Sequence, residues 1–570
     1  MMTFNAHCRD GALRFLHTAL VIDDRAEMGN DSDDAEPKVA VRASTSILSK
    51  QAHAVSSGAP QAPVADESAA RMADTNTGFL NAKALTDAFL NKEIICGVHR
   101  PEGENTSVAL AVKAATRADI VIVDWLLEAK SSVKAKEIVK QILKADAAEH
   151  GRARLVAIYT SEPGRSAVAK ELFDVFQAEA ELKDRLKLSE DGLTICGVDT
   201  RISIINKSGT PQSQDVLAVS EAELPDYLVD EFVQLTDGLL SNFAVSSVAA
   251  IRRGAHHVLA LFGKDLDGVY VAHRCSIKDP GEAEDLAMGL IGSELVGLIE
   301  NAGVPETTLN PKIIDTWLDR EGEGRVFATD KARLPLNVVK ELVRKGHARL
   351  ADKAGQMQVG RDQAPKDTIT ATTITAVFYK DDTEARTAAR RFSRLSNFKR
   401  EAGRLRPSDN FRPMLTLGAL LKVRKDLFEG DGIGCDYLLC MQPICDAVRL
   451  TETTAFPFQT AVYDEKRFNV IVNETGAEGY LNLELKPRNM VMVRFDPTNG
   501  GDTVSAERDA VGDFLFTDTL GRKFQWMGDM TSLKAQGFAS EIAANQHRVG
   551  GDELEWLRLG AIGKIKPEPK

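Results

Sequence analysis

Acidic side chains follow two apolar segments in the early part of the sequence. Residues 20–22 run directly into the adjacent pair Asp23 and Asp24, and residues 120–123 run into Asp124. Three carboxylates held close together cannot all stay ionised comfortably without a cation. Carboxylate oxygens suit Mg²⁺, which prefers one or two carboxylates together with phosphate oxygens and water. The pattern therefore indicates a site for a divalent cation and a phosphoryl group.

A hydroxyl and an ammonium group stand at equivalent positions after two further apolar segments. Residues 157–159 lead into Thr160, and residues 204–206 lead into Lys207. Beside the carboxylates, these groups would complete a cradle for a tetrahedral anion, and phosphoryl transfer depends mainly on positioning and charge neutralisation. Taken singly, Thr160 could cap a helix, and Asp124 or Lys207 could be a solvated charge. The ordered set of four segment ends is what predicts phosphoryl chemistry.

Strand and helix patterns that would position these residues alternate from about residue 74 to residue 207. Strand-like apolar runs occupy 93–98, 119–124, 154–160, 193–197 and 201–206, and helical spacing occupies 80–89, 107–115, 133–145 and 165–186. Unbroken apolar strands between amphipathic helices are typical of a parallel sheet covered on both faces. We predict an N-terminal α/β domain with a doubly wound parallel, flavodoxin-like sheet. Its site should lie at the carboxyl ends of the strands.

The same ordered set resembles the receiver domain of two-component response regulators. That family has an acid pair after the first strand, an acceptor aspartate after the third, Ser or Thr after the fourth and lysine after the fifth. The resemblance implies that Asp124 accepts the phosphoryl group and that Thr160 and Lys207 contact it. It also implies Mg²⁺ as cofactor, held by Asp23, Asp24 and Asp124 and by the backbone carbonyl of Leu126.

The resemblance implies a bacterial-type, phosphorylated signalling protein rather than a turnover enzyme. A histidine kinase, a phosphotransfer protein or a small phosphodonor would phosphorylate Asp124, and the C-terminal half would be the switched output. The sequence departs from the family at Lys207, which is followed by Ser208-Gly209 instead of a proline, and in the long gap between the acid pair and Asp124. These departures leave open a receiver-like scaffold that only binds partners. An enzymatic output is a third reading, for which no nucleophile and base are evident.

Length and composition bound the remaining possibilities. A chain of 570 residues is too long for one core and indicates about three domains. No apolar run approaches the roughly 18 residues that cross a membrane, and residues 1–14 lack the pattern of a secretory signal. Seven scattered cysteines without a CxxC pair indicate reduced thiols and a cytoplasmic location.

Three domains are predicted along the chain. The first is a receiver-like domain over residues 1–215, with a flexible insertion at 29–73 that is rich in Ala, Ser, Gln and Pro. A mainly helical connector over 216–365 and a β-rich output domain over 366–570 follow. Short strands with frequent turns predict a small barrel or sandwich there, with further β-structure at 372–379 and closing helices at 533–546 and 553–558.

Two features of the C-terminal half have both a functional and an ordinary interpretation. Arg386, Arg390 and Arg394 form one basic helical face within a basic segment at 386–412. This segment could contact nucleic acid or dock on acidic surface elsewhere in the chain. Cys435, Cys440 and Cys445 lack the spacing of a zinc site, and we expect all three to be buried. The sequence leaves a homodimer open.

Overall fold

The computed structural model describes most of the chain, and every structural statement here concerns the residues that it describes. They are 3–27, 80–101, 105–128, 131–149, 151–211, 215–277, 282–322, 327–329, 332–352, 356–359, 367–370, 373–404, 407–427, 433–474, 477–498 and 501–546. The predicted insertion at 29–73 and the predicted helix at 553–558 lie outside them. By its contacts the chain forms two compact units, Met1–Val258 with Glu294–Arg320, and Leu259–Ser293 with Glu321–Lys570.

The first unit is built on a mostly parallel sheet. Its strands are β1 Thr18–Ile22, β2 Ala26–Glu27, β3 Leu80–Asn81, β4 Ile95–His99, β5 Ile120–Val123, β6 Arg154–Thr160, β7 Leu186–Leu188, β8 Thr194–Gly197, β9 Thr200–Lys207 and β10 Ala218–Val219. The order β4-β1-β5-β6-β9 is parallel throughout. Strands β8 and β7 extend the sheet beyond β9 in antiparallel fashion, and β10 pairs with the end of β9. The small β2 and β3 pair with each other.

Helices cover both faces of this sheet. They are α1 Phe4–Phe15, α2 Ala82–Leu90, α3 Asn105–Ala115, α4 Val133–Ala148, α5 Arg165–Gln177 and α6 Leu224–Leu235. Because side chains alternate along a strand, Ile122 packs into a core with α1, α2 and α6, whereas Val121 and Val123 pack into a second core with α3, α4 and α5. The carboxyl ends of the parallel strands are thereby fixed from both sides.

The middle of the chain is helical, as predicted. It contains α7 Leu239–Leu261, α8 Asp267–Ser276, α9 Glu282–Asn301, α10 Val304–Thr308, α11 Pro311–Gly322, α12 Leu336–Lys345 and α13 His347–Leu350. Two small antiparallel strand pairs accompany these helices: β11 Phe327–Thr329 with β12 Ala332–Leu334, between α11 and α12, and β13 Gln356–Val359 with β14 Asp367–Thr370, after α13. Arg252 of α7 reaches the opposite edge of the first unit's sheet, where it pairs with Asp119 at 2.9 Å.

The C-terminal region is an antiparallel sheet with helices beside it. Its strands are β15 Phe398–Glu401, β16 Ala419–Val423, β17 Tyr437–Cys440, β18 Thr454–Tyr463, β19 Val470–Glu474, β20 Ala477–Asn482, β21 Met490–Phe495, β22 Glu507–Arg508, β23 Phe514–Thr517 and β24 Lys523–Met530. Its helices are α14 Asp382–Asn397, α15 Ile444–Ala447 and α16 Ser532–Gln546. All ten strands are connected by hydrogen bonds, with β18 and β24 as branch points.

The predicted fold class is therefore confirmed, with an α/β region, a helical middle and a β-rich C-terminal region. Two local predictions are wrong. The helix predicted at 165–186 ends at Gln177, and the segment predicted as β-rich at 372–379 contains a 3-10 turn, Thr375–Phe378. None of the described helices is both long enough and apolar enough to span a membrane.

Candidate functional site

Parallel pairing of neighbouring strands brings the three acids to one edge of the sheet. The backbone N–H of Asp124 donates to the carbonyl of Ile22 at 2.9 Å, which places the acceptor position beside the end of β1. The backbone N–H of Asp23 donates to the carbonyl of His99 at the end of β4 at 3.2 Å. These main-chain bonds fix where the acidic side chains begin, independently of the charges they carry.

The carboxylates of Asp23, Asp24 and Asp124 form a compact cluster. Each offers an oxygen, and these oxygens lie within 4.8 Å of one another. Asp23 and Asp124 are buried, and Asp24 is half-buried. Such proximity, which the sequence predicted from strand ends alone, is the arrangement that binds a small, hard cation.

Lys207, at the end of β9, reaches into this cluster. Its Nζ donates a hydrogen bond to Oδ2 of Asp23 at 2.7 Å and lies 3.3 Å from Oδ1 of Asp124. The lysine is buried, with 3% of its surface exposed, and its ammonium group lies 5.8 Å from the centre of the Tyr159 ring. The structure therefore places Lys207 with the three acids, although the residues after it do not follow the family pattern.

Arg25 is part of the site and was missed in the sequence analysis. Its Nη2 lies 3.4 Å from Oδ2 of Asp124, and its Nε lies 3.9 Å from Oδ1 of Asp24. Its backbone N–H donates to Oδ1 of Asp23 at 2.7 Å. The available signal was its position directly after the acid pair, but an arginine beside acids in sequence is common and does not predict where its side chain lies.

Burial and charge compete at the acceptor position. Burial raises the pKa of Asp124 above its ordinary value, and Asp23 adds to this rise, while Lys207 and Arg25 oppose it. Asp124 is thus a carboxylate whose ionised form is incompletely compensated in the described structure. A further cation beside it would favour the ionised form.

Two buried carboxylate oxygens of the cluster have no hydrogen-bond partner among the described residues, namely Oδ1 of Asp24 and Oδ1 of Asp124. The contact of Lys207 with Asp124 is an ion pair without hydrogen-bond geometry. The other oxygen of Asp24, Oδ2, accepts from the backbone N–H of Glu128 at 3.0 Å. Buried polar atoms are normally satisfied, so two orphaned carboxylate oxygens in a set of hard oxygen donors fit a divalent ion such as Mg²⁺.

The remaining predicted site residues, Thr160 and Leu126, follow strand ends at the same edge, and no hydrogen bond among the described residues joins them to the acids. Thr160 is fully buried at the end of β6, and its Oγ1 accepts from the backbone N–H of Glu162 at 3.0 Å. Asn206, paired with Thr160 across the strands, donates to the carbonyl of Glu162 at 2.6 Å. Leu126 lies in the turn after Asp124, two residues before Glu128. Roles for Thr160 and for the Leu126 carbonyl remain predictions.

The basic face on α14 is engaged within the chain. Arg386 pairs with Asp382 at 2.7 Å, and Arg394 pairs with the buried Glu401 at 2.8 Å. The guanidinium of Arg390 lies 5.8 Å from the centre of the Tyr480 ring. The contacts of Arg390 and Arg394 agree with the ordinary interpretation, a face that docks on other parts of the chain, whereas Arg386 pairs within its own helix and is exposed.

The cysteine prediction for the C-terminal region is partly wrong. Cys435 and Cys440 are buried, whereas Cys445 is exposed at the start of α15. Strand residues such as Cys440 are covered because both faces of the sheet are packed, while Cys445 lies in a short helix between strands, where one side faces solvent. All of the cysteines are free thiols.

Fold and site together define a receiver-type domain, a doubly wound sheet with an acid cluster and a lysine at the carboxyl edge. Comparison with known families agrees, because residues 15–212 match the family model of the response receiver domain. This match covers about a third of the chain and confirms the resemblance for that region. It supports signalling of the response-regulator kind in general. Neither the curated proteins nor the solved structures gave a match to the chain.

Proposed function

We propose that the first unit accepts a phosphoryl group on Asp124 in a Mg²⁺-dependent reaction and switches the C-terminal region. The donor would be a histidine kinase, a phosphotransfer protein or a small phosphodonor. The observation that carries this proposal is the buried cluster of Asp23, Asp24 and Asp124 with Lys207, in which two carboxylate oxygens have no described partner.

The chemistry assigns Asp124 as nucleophile. A carboxylate oxygen of Asp124 would form a bond to phosphorus while the bond between phosphorus and the donor atom breaks, and the donor atom keeps the electron pair. Mg²⁺, held by Asp23, Asp24, Asp124 and the carbonyl of Leu126, would neutralise phosphoryl oxygens. Lys207 would move its ammonium group from Asp23 and the free Asp124 carboxylate toward those oxygens.

The switch would follow from this change of partners. Lys207 is paired in the sheet with Val219 of β10, and the carbonyl of Val219 accepts from the Tyr159 hydroxyl at 2.7 Å. A displacement of Lys207 would therefore also displace β10, the strand that leads into α6. Thr160 could exchange its bond with Glu162 for one with a phosphoryl oxygen. Local changes of charge with a distant readout are a general form of protein switch.

A pseudo-receiver that only binds partners is the alternative. The orphaned oxygens and the retained Lys207 favour phosphorylation over it. For the output we propose an interaction module. Contact with nucleic acid is less favoured, because Arg390 lies against the Tyr480 ring and Arg394 pairs with the buried Glu401. A cytoplasmic location remains our expectation from the pattern of cysteines.

Intact-mass analysis after treatment with acetyl phosphate and Mg²⁺ tests the proposal. We expect wild type to gain one phosphoryl group that is lost under alkaline conditions and that does not form in EDTA. Asp124→Asn should gain none, whereas Asp174→Asn, an exposed acid on α5, should behave as wild type. An adduct that persists in Asp124→Asn would assign the acceptor elsewhere. Absence of both the adduct and Mg²⁺ binding would favour the pseudo-receiver.

A further inference from the structure

Two cationic side chains, Lys207 and Arg25, partly neutralise the three carboxylates of the acid cluster. Lys207 contacts Asp23 and Asp124, whereas the Arg25 guanidinium lies between Asp24 and Asp124. With three carboxylates and two cations, the described site keeps an excess of negative charge. Arg25 contacts Asp24 and Asp124, and each of these acids has one oxygen, Oδ1, without a hydrogen-bond partner among the described residues.

We propose that Arg25 substitutes for the divalent cation in the metal-free protein and must withdraw when the metal binds. A guanidinium stays protonated under all ordinary conditions, so it repels any dication that enters between the same carboxylates. Arg25 then acts as a competitor that weakens metal binding and sets the metal concentration at which the site becomes competent. This inference rests on the metal use in the proposed function, but it does not require phosphorylation.

The geometry gives Arg25 the means to withdraw. Its side chain is 24% exposed, in contrast to 4% for Lys207, so it has a path toward solvent. Its contacts with the acids are long, a hydrogen bond of 3.4 Å to Oδ2 of Asp124 and an ion pair of 3.9 Å with Oδ1 of Asp24. Such contacts are weaker than the 2.7 Å bond between Lys207 and Asp23, and a strongly charged metal ion can replace them.

The main chain of Arg25 has a separate structural role, which makes the side chain open to test. Its backbone N–H holds Oδ1 of Asp23 at 2.7 Å. A substitution keeps this bond, so the acid pair should remain in place when the guanidinium is removed. Arg25→Gln removes the charge, Arg25→Lys keeps a charge on a shorter group, and Arg117→Gln removes an exposed arginine outside the site as the matched control.

Calorimetric titration of the full chain with Mg²⁺ and with Mn²⁺ is the first test. We expect Arg25→Gln to bind the metal at least tenfold more tightly than wild type, which is about 1.4 kcal/mol. Arg117→Gln should match wild type, and Arg25→Lys should lie nearer to wild type than to Arg25→Gln. Asp124→Asn should weaken metal binding both in the wild-type chain and in the Arg25→Gln chain.

Thermal unfolding in EDTA and in Mg²⁺ is the second test. Arg25→Gln should be less stable than wild type in EDTA and should gain more from Mg²⁺, because the metal then replaces the missing charge. If Arg25→Gln folds only with Mg²⁺, the proposal is supported; if Mg²⁺ does not restore its folding, Arg25 is a structural residue and the proposal fails.

The outcomes separate this inference from the proposed function. Equal or weaker metal binding by Arg25→Gln, with wild type binding normally, overturns the competitor role and leaves the proposed function intact. No metal binding by wild type or by any variant overturns the metal use itself, and the competitor role with it.

Discussion

Replacing Lys207 by methionine leaves the carboxylates of Asp23 and Asp124 without their shared ammonium group. Nζ lies 2.7 Å from Asp23 and 3.3 Å from Asp124, and the three side chains are 4%, 2% and 1% exposed. Methionine preserves most of the apolar stem, so the main loss is charge. Removal of one partner from a buried ion pair costs about 3–5 kcal/mol, because the remaining charges stay buried and uncompensated.

A divalent cation should restore much of this loss. A ligand that binds only the folded state stabilises it by about 2.7 kcal/mol at a concentration one hundred times its Kd. We therefore expect Lys207→Met to be strongly destabilised in EDTA and to recover in saturating Mg²⁺. Lys170→Met, at an exposed position on α5, should change stability by less than about 0.5 kcal/mol in either condition.

Amide hydrogen exchange of β5 gives a local readout, which suits a chain with two compact units because multidomain chains in general do not unfold in one step. Since about 1.4 kcal/mol corresponds to a tenfold change in an equilibrium constant, a loss of about 3–5 kcal/mol should lower the protection of Ile120–Val123 by about two to four orders of magnitude in EDTA. Unchanged protection would refute the charge argument. If Mg²⁺ restores none of the lost protection, packing of the lysine stem, and not its charge, stabilises the site.

Three further predictions concern other groups. Because burial raises the pKa of Asp124, the stability that its bound proton provides is lost as pH rises from the ordinary Asp range through the raised value. Without metal, the free energy of unfolding in denaturant should therefore be higher for Asp124→Asn than for wild type only above that pH range. A difference in unfolding free energy that stays constant across pH would contradict this. Burial raises the pKa of Cys440 to about 12, so maleimide mapping of the native protein should label the exposed Cys275 and Cys445 before Cys440, and equal labelling of Cys440 and Cys445 would be inconsistent with the fold. Asp119 and Arg252 pair at 2.9 Å, and a double-mutant cycle on unfolding should give a coupling of about 0.5–3 kcal/mol; additive effects would exclude a direct contact.

The sequence determined the framework of the N-terminal region because its signals are local. Apolar runs of strand length and helical spacing depend on neighbouring residues, so the sequence alone suffices to assign residues 154–160 to a strand. The carboxyl ends of parallel strands share an edge, which is why strand-end positions sufficed to bring Asp23, Asp124 and Lys207 together. The same local logic failed at 372–379, where β-branched residues form a 3-10 turn.

Only the tertiary structure decided how the charges at that edge are compensated. Arg25 bridges Asp24 and Asp124, which are separated by about a hundred residues, and the extension of the sheet by β7 and β8 depends on pairing with β9. The raised pKa of Asp124 likewise follows from burial by several elements. Periodicity is a property of adjacent residues, whereas burial and electrostatic energy depend on groups that folding brings together from distant parts of the chain.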